Sequence, residues 1–231
     1  MLSIVKSMAL NGLNGYLVDV QIDVASGLPH WEIVGLPDAS VRESKERVRT
    51  AIKNSGIEFP SRKITVNLAP ANTRKEGSFF DLPIAIGILM ATENLNNINI
   101  QDTIFMGELS LDGSLNKING VLPMCIEALK LGIKRAILPI QNAKEASVVQ
   151  GLEVIGVKSL EQTIKFLIKQ ENIKTEPINI ENMLVEQCKY NMDFAEVKGQ
   201  ENVKRALEIA AAGRTQLHFD WFAGLWQNDA C

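Results

Sequence analysis

The chain has 231 residues and a formal net charge of −3, with 24 Lys and Arg against 27 Asp and Glu. That balance excludes a globally basic nucleic-acid binder but not a local basic face; 46% hydrophobic and 22% charged residues describe an ordinary globular chain that can bury a core without disulfide staples. Its three cysteines, Cys125, Cys188 and Cys231, show neither an even disulfide framework nor C-x-x-C metal spacing, so a reducing cytoplasm is the simpler expectation.

Residues 3–10 read as a first strand, followed by the turn Asn11-Gly12-Leu13-Asn14-Gly15. Residues 16–25 alternate, with Val18, Val20, Ile22 and Val24 against Asp19, Gln21 and Asp23. After Ser26-Gly27-Leu28-Pro29, residues 31–34 make a third strand, and the opening predicts a β-meander with antiparallel pairing. Asp38 is a good N-cap for a helix in which Val41, Val48, Ala51 and Ile52 share a face, ended by Gly56. The opposite face carries Arg42, Glu43, Lys45, Glu46, Arg47, Arg49 and Lys53. It reads either as a solvated surface laced with i,i+4 pairs or as a basic ridge against nucleic acid or a neighbouring subunit.

Residues 63–68 form a strand by alternation and β-branching, and residues 69–77 a polar loop bearing Pro70 and Gly77. The helix that follows is apolar all round, which predicts burial; Asp81 is its expected N-cap, with Pro83 in the first turn. Residues 103–111 read as one strand, and Asp112-Gly113 turns it into a hairpin with residues 114–118. A helix then runs from Gly120-Val121-Leu122-Pro123 to Gly132. Short strands at 136–139 and 152–157 alternate with helices capped by Asn142 and Ser159, a pattern for parallel pairing with crossover helices. Together these make a mixed α/β (α+β) domain over 1–170, a polar linker over 171–191, and a further helix from Glu201 within 192–213.

The last residues, 214–231, hold two of the three Trp and have no helix or strand period. Codons compatible with Trp221 to Cys231, read one base later, allow G-S-P-G-S-G-K-T, which fits the phosphate-cradling pattern G-x-x-x-x-G-K-[ST]. The expectation is a frameshifted tail over 214–231, with the natural protein continuing into an ATPase domain; the alternative is an irregular native tail.

Among single residues, Arg62, Lys63, Arg74 and Lys75 flank the 63–68 strand and its loop. They suggest either a small basic patch for DNA phosphates or a solvated, subunit-contacting loop. His30 and His218 are isolated, and Asp19, Asp23, Glu108 and Asp112 lack metal-site spacing, so no metal is expected. Trp31 reads as strand packing. No apolar run reaches the ~18–20 residues of a membrane helix, and no membrane partner is expected.

Four stretches give a resemblance: Val34-Gly35-Leu36-Pro37-Asp38, Asn67-Leu68-Ala69-Pro70-Ala71, Lys75-Glu76-Gly77-Ser78 with Phe80-Asp81-Leu82-Pro83-Ile84-Ala85, and Gly107-Glu108-Leu109-Ser110-Leu111-Asp112-Gly113. Through them residues 1–213 resemble the start of the Mg-chelatase-like AAA+ ATPases of the ComM/YifB type, bacterial proteins of competence and DNA processing. The resemblance implies a ribosomal-protein-S5-domain-2-like, Lon-protease-like fold, followed by the truncated start of an AAA+ module. Val197, Gly199 and Gln200 would lie near the adenine. The full-length family is expected to use ATP and Mg²⁺, form a hexameric ring and act on DNA by branch migration in the cytoplasm. For this chain alone no cofactor and no ATP hydrolysis are expected.

Similarity to Lon proteases raises a Ser/Lys dyad, in which a serine hydroxyl is activated by a neutral lysine. Carried over on Lys75-Glu76-Gly77 and on Gly107 to Gly113, the dyad positions fall on Phe79 and Leu122, which hold no nucleophile or base. Ser78 is one residue off, and Lys117 precedes its helix. The expectation is therefore a non-proteolytic domain, or alternatively a degenerate peptidase scaffold kept as a protein-interaction module.

Overall fold

The alternation along residues 14–25 builds the strand on which the sheet turns. In a computed structural model, which describes residues 1–95, 98–173 and 197–213, β1 (Leu2–Asn11) and β2 (Asn14–Ala25) form an antiparallel hairpin with Lys6 opposite Asp19. β2 then pairs antiparallel with β4 (Lys63–Ala69), and β3 (His30–Val34) lies outside β4, parallel to it. This corrects the meander: β3 never touches β2, because the α1 helix (Ala39–Asn54) that joins β3 to β4 is a crossover, and a crossover returns the chain parallel. On the other side of β1 come β5 (Thr103–Phe105), β8 (Arg135–Pro139) and β9 (Glu153–Val157), all parallel. The sheet order is β3-β4-β2-β1-β5-β8-β9, a mixed α/β sheet in which most pairings are parallel.

Residues expected as one strand over 103–111 split in two. Met106 N–H still donates to Ile137 O of β8 at 3.0 Å, but Gly107 turns away: its N–H donates to Phe79 O at 2.9 Å, and its O accepts from Leu82 N–H at 3.0 Å. The chain resumes as β6 (Glu108–Leu109), paired with β7 (Leu115–Asn116) across the Asp112-Gly113 hairpin. Ser114 donates both its N–H and its hydroxyl to Asp112, which is why that carboxyl titrates low.

Two apolar cores lie on opposite faces of the sheet. Val5, Val20, Ile22, Val66, Phe105 and Ile137 face one side, where α1, α2 (Asp81–Ala91) and α5 (Leu160–Leu167) cover them. Met8, Ile104, Ala136 and Leu138 face the other, under α3 (Val121–Lys130) and α4 (Ile140–Ala146). Ten of the eleven residues of α2 are buried, as its all-round apolar sequence demands. Asp38 and Ser159 cap α1 and α5, accepting from Val41 N–H and Gln162 N–H. Asn142 is not a cap, because α4 begins two residues earlier. Its buried amide instead accepts from Ile118 N–H at 2.9 Å and donates to Ile118 O at 2.8 Å.

The chain divides into two units, Met1–Ile178 and Asn179–Cys231. In the second, α6 (Glu201–Gly213) is described. The linker expected over 171–191 lies almost wholly, and the tail expected over 214–231 wholly, outside the described residues. No helix among the described residues is long and apolar enough to cross a membrane.

Candidate functional site

The junction between β4 and α2 is held by charges turned inward. Lys75 is fully buried; its ammonium donates to the carbonyls of Pro70 and Thr73, and burial pulls it below the usual lysine range. Its backbone exchanges hydrogen bonds with Leu36 O (3.1 Å) and Asp38 N–H (2.9 Å), which ties the loop to the entry of α1. Gly77 follows at φ +97°, where a Cβ would sit 2.6 Å from the Phe79 ring. A single 3₁₀ turn, Ser78–Phe80, then leads into α2.

Asp81 is a helical residue with no capping bond, contrary to the N-cap expectation. Its carboxylate turns into the protein and meets Arg47 of α1 in a bidentate pair, 2.6 Å to Nε and 3.0 Å to Nη2. It also accepts from Leu109 N–H at 3.2 Å. Burial pushes this carboxyl up to about 6, with the Arg47 guanidinium and the Leu109 N–H holding it from rising further. Beside it, Glu108 accepts from the Ser78 hydroxyl and from Asn116 Nδ2. Burial raises the Glu108 carboxyl, but those two hydrogen bonds outweigh it, and the net shift is downward.

The two positions to which Lon similarity assigns a dyad are filled by core packing. Phe79 is packed against both apolar clusters and tilted on Phe80 at 4.7 Å between ring centres; Leu122 packs on the α3–α4 side. The nearest serine, Ser78, gives its proton to a carboxylate rather than to an amine, and Lys117 is exposed. No described side chain stands as a lysine base beside a serine nucleophile here. Among the described residues, no group of three His, Cys, Asp or Glu is gathered for a metal.

The four basic residues expected as one patch are not brought together. Arg62 and Lys63 lie at the start of β4, while Arg74 and Lys75 follow its end, roughly 20 Å away along a seven-residue strand. Arg74 pairs with Glu76 at 3.3 Å, and the buried Lys75 cannot meet a phosphate at the surface. Arg62 instead joins cations that the α1 ridge supplied. Lys45, Arg49, Lys53 and Arg62 line a cavity of about 200 Å³ between α1 and the β3–β4 edge, with Trp31 and Phe59 as its aromatic wall. The two rings stack at 5.3 Å and 14°, and the Arg49 guanidinium lies 5.8 Å over Phe59. No Asp or Glu lines this groove. The sequence signal was the spacing of Lys45, Arg49 and Lys53 at i, i+4 and i+8, with no acidic residue three or four positions from Lys45 or Lys53.

In the second unit, Gly199 and Gln200 take positive φ (72° and 60°) in the turn that enters α6, and Lys204 donates to Val197 O at 2.5 Å. The structure thus gathers Val197, Gly199 and Gln200 at one helix entry.

Residues 20–142 match the family described as subunit ChlI of Mg-chelatase. The chain is 39% identical over 219 residues to competence protein ComM of Haemophilus influenzae, covering 94% of this chain and 43% of that protein. It is 38% identical over 213 residues to the uncharacterized protein YifB of Escherichia coli, covering 92% of this chain and 41% of YifB. Lon protease 2 of Bacillus subtilis is 27% identical over 197 residues, covering 77% of this chain and 35% of the protease. The chain therefore spans little more than two-fifths of the length of ComM and YifB.

Proposed function

The chain belongs to the family of Mg-chelatase subunit ChlI, with ComM and YifB among its relatives, and from that premise we propose that it is the non-proteolytic, Lon-like domain of a DNA-processing AAA+ ATPase. The observation that carries the reading is the chemistry at the dyad positions. Phe79 and Leu122 are packed into apolar clusters, and the Ser78 hydroxyl is held by Glu108. With its carboxyl shifted downward, Glu108 is a weak base for that proton, and no lysine amine stands at hand to act in its place. The fold would be that of ribosomal protein S5 domain 2, and residues 192–213 would open the ATPase module, with Val197, Gly199 and Gln200 beside the adenine. ATP and Mg²⁺ would serve that module. The whole protein would assemble as a hexameric ring in the cytoplasm and move branched DNA, with the Lon-like domain taking part in DNA contact.

The test uses the purified chain with fluorescent single-stranded and forked DNA between about 50 and 200 mM salt, where phosphate contacts weaken steeply. A serine-directed probe is run in parallel. Salt-sensitive binding without labelling of Ser78 is expected. Labelling of Ser78 would return the chain to the peptidases, and no binding at low salt would remove DNA contact from this domain.

A further inference from the structure

We propose that the groove between α1 and the β3–β4 edge is a site for single-stranded DNA, with Lys45, Arg49, Lys53 and Arg62 holding its phosphates; this rests on the DNA-handling reading above and gives it a place. The first support is the absence of internal partners. Several cations of this fold are held by an acid: Arg47 by Asp81, Arg74 by Glu76, Lys134 by Asp102, Arg135 by Glu153 and Lys165 by Glu161. Lys45, Arg49, Lys53 and Arg62 have no ion pair among the described residues, and no acidic side chain lines the cavity they share. In a chain of net charge −3, four unpaired cations around one groove form a local field opposite to the whole.

The second support is spacing. Lys45, Arg49 and Lys53 stand one above another on α1, about 6 Å apart per four-residue step. A row with that repeat meets successive phosphates of an extended strand. The third is the wall. The Arg49 guanidinium lies over the Phe59 ring, 5.8 Å from its centre, a contact that uses none of its N–H donors and leaves them available to phosphate or base edges. Trp31, stacked on the same ring, has an enclosed indole N–H with no acceptor. At about 200 Å³ the cavity is smaller than the ~300–1,000 Å³ of small-molecule sites, which suits a sugar–phosphate segment passing through rather than a whole nucleotide cofactor.

The experiment is fluorescence anisotropy of a labelled oligo(dT) against the purified chain over a salt series. Three variants are compared: Lys45→Glu/Arg49→Glu/Lys53→Glu, the milder Lys45→Gln/Lys53→Gln, and Arg74→Glu as a control beyond the far end of β4. Thermal melting confirms that each is folded. The triple variant is expected to bind at least about tenfold more weakly, and the double variant to lower the slope of log affinity on log salt by about 1.4, at ~0.7 per lost phosphate contact. Arg74→Glu should leave the slope unchanged. A duplex of the same sequence bound more tightly than the single strand, or poly-glutamate competing equally, would overturn the site as one for single-stranded DNA. Full affinity in the folded triple variant would overturn the groove and leave the DNA reading standing; no binding by the unmodified chain would overturn both.

Discussion

One helix, α1, presents basic residues on two faces, and the fold treats them in opposite ways. On the inner side, Arg47 reaches Asp81 at the head of α2 and is four-fifths buried. On the outer side, Lys45, Arg49 and Lys53 line a groove without any carboxylate. The residue types are the same, and so is the local sequence. What separates them is a partner 34 positions later in the chain, and Asp81 cannot be matched to Arg47 by helical spacing. The lesson is that a basic face on a helix is not one object: some of its charges are paired within the fold and some face a groove with no acid in it.

The comparison is broken most severely on the inner side. Arg47→Ala would leave the Asp81 carboxylate enclosed without its cation, at a cost of about 3–5 kcal/mol at pH 7. Urea unfolding measures it. Near pH 5 the cost should shrink, because the stranded carboxyl can take up a proton. A loss that is equal at both pH values would mean that Asp81 is not the group left behind.

Titration sharpens the same face. The folded Asp81 carboxyl lies at about 6, above its ordinary 3.8, because burial outweighs Arg47. The folded state therefore binds the proton more tightly than the unfolded chain does. This favours folding below about pH 4, and the advantage is lost as pH rises through about 6, by on the order of 3 kcal/mol. Glu108, shifted downward, acts in the opposite sense at lower pH. The quantity to follow is thus the stability of the protein minus that of Asp81→Asn, which should fall between pH 4 and 6. A difference that grows over that window would show that the Arg47 attraction dominates.

These two faces also mark how far the sequence could be read. Asp38, Ser159 and the Asp112-Gly113 hairpin were legible because each partner lies within a few residues. The parallel pairing of β8 with β9 followed from alternating strands and helices. The place of β3 was not legible, since its neighbour β4 arrives only after the α1 crossover. Asp81 and Asn142 both have the composition of caps, yet their side chains serve Arg47 and Ile118, distant in sequence. Of the expected basic set, Arg62 reached the groove, whereas Lys75 went inside, because the Pro70 and Thr73 carbonyls of its own loop surround the ammonium. Lys75→Met should accordingly cost about 1–3 kcal/mol, from carbonyls left without a donor, and leave oligo(dT) affinity unchanged. A weakened affinity with unchanged stability would place Lys75 at the surface.

The smallest effect on folding should come from the outer face, and its smallness is the point. Lys45 and Arg49, and Arg49 and Lys53, are like charges at i,i+4, an arrangement that opposes the helix by a few tenths of a kcal/mol per pair. Arg49 recovers part of this by lying over Phe59, and Lys53 by standing in the last turn of α1. Lys45 has neither compensation. Lys45→Gln should therefore change stability by no more than about 0.5 kcal/mol, in the stabilising direction if in either, while lowering the salt slope of DNA binding. A clear loss of stability would mean that the fold itself uses Lys45, and the groove would then be part of the scaffold. Retained stability with a lower slope would mean that α1 keeps a mildly unfavourable row of charges because something outside the chain neutralises it.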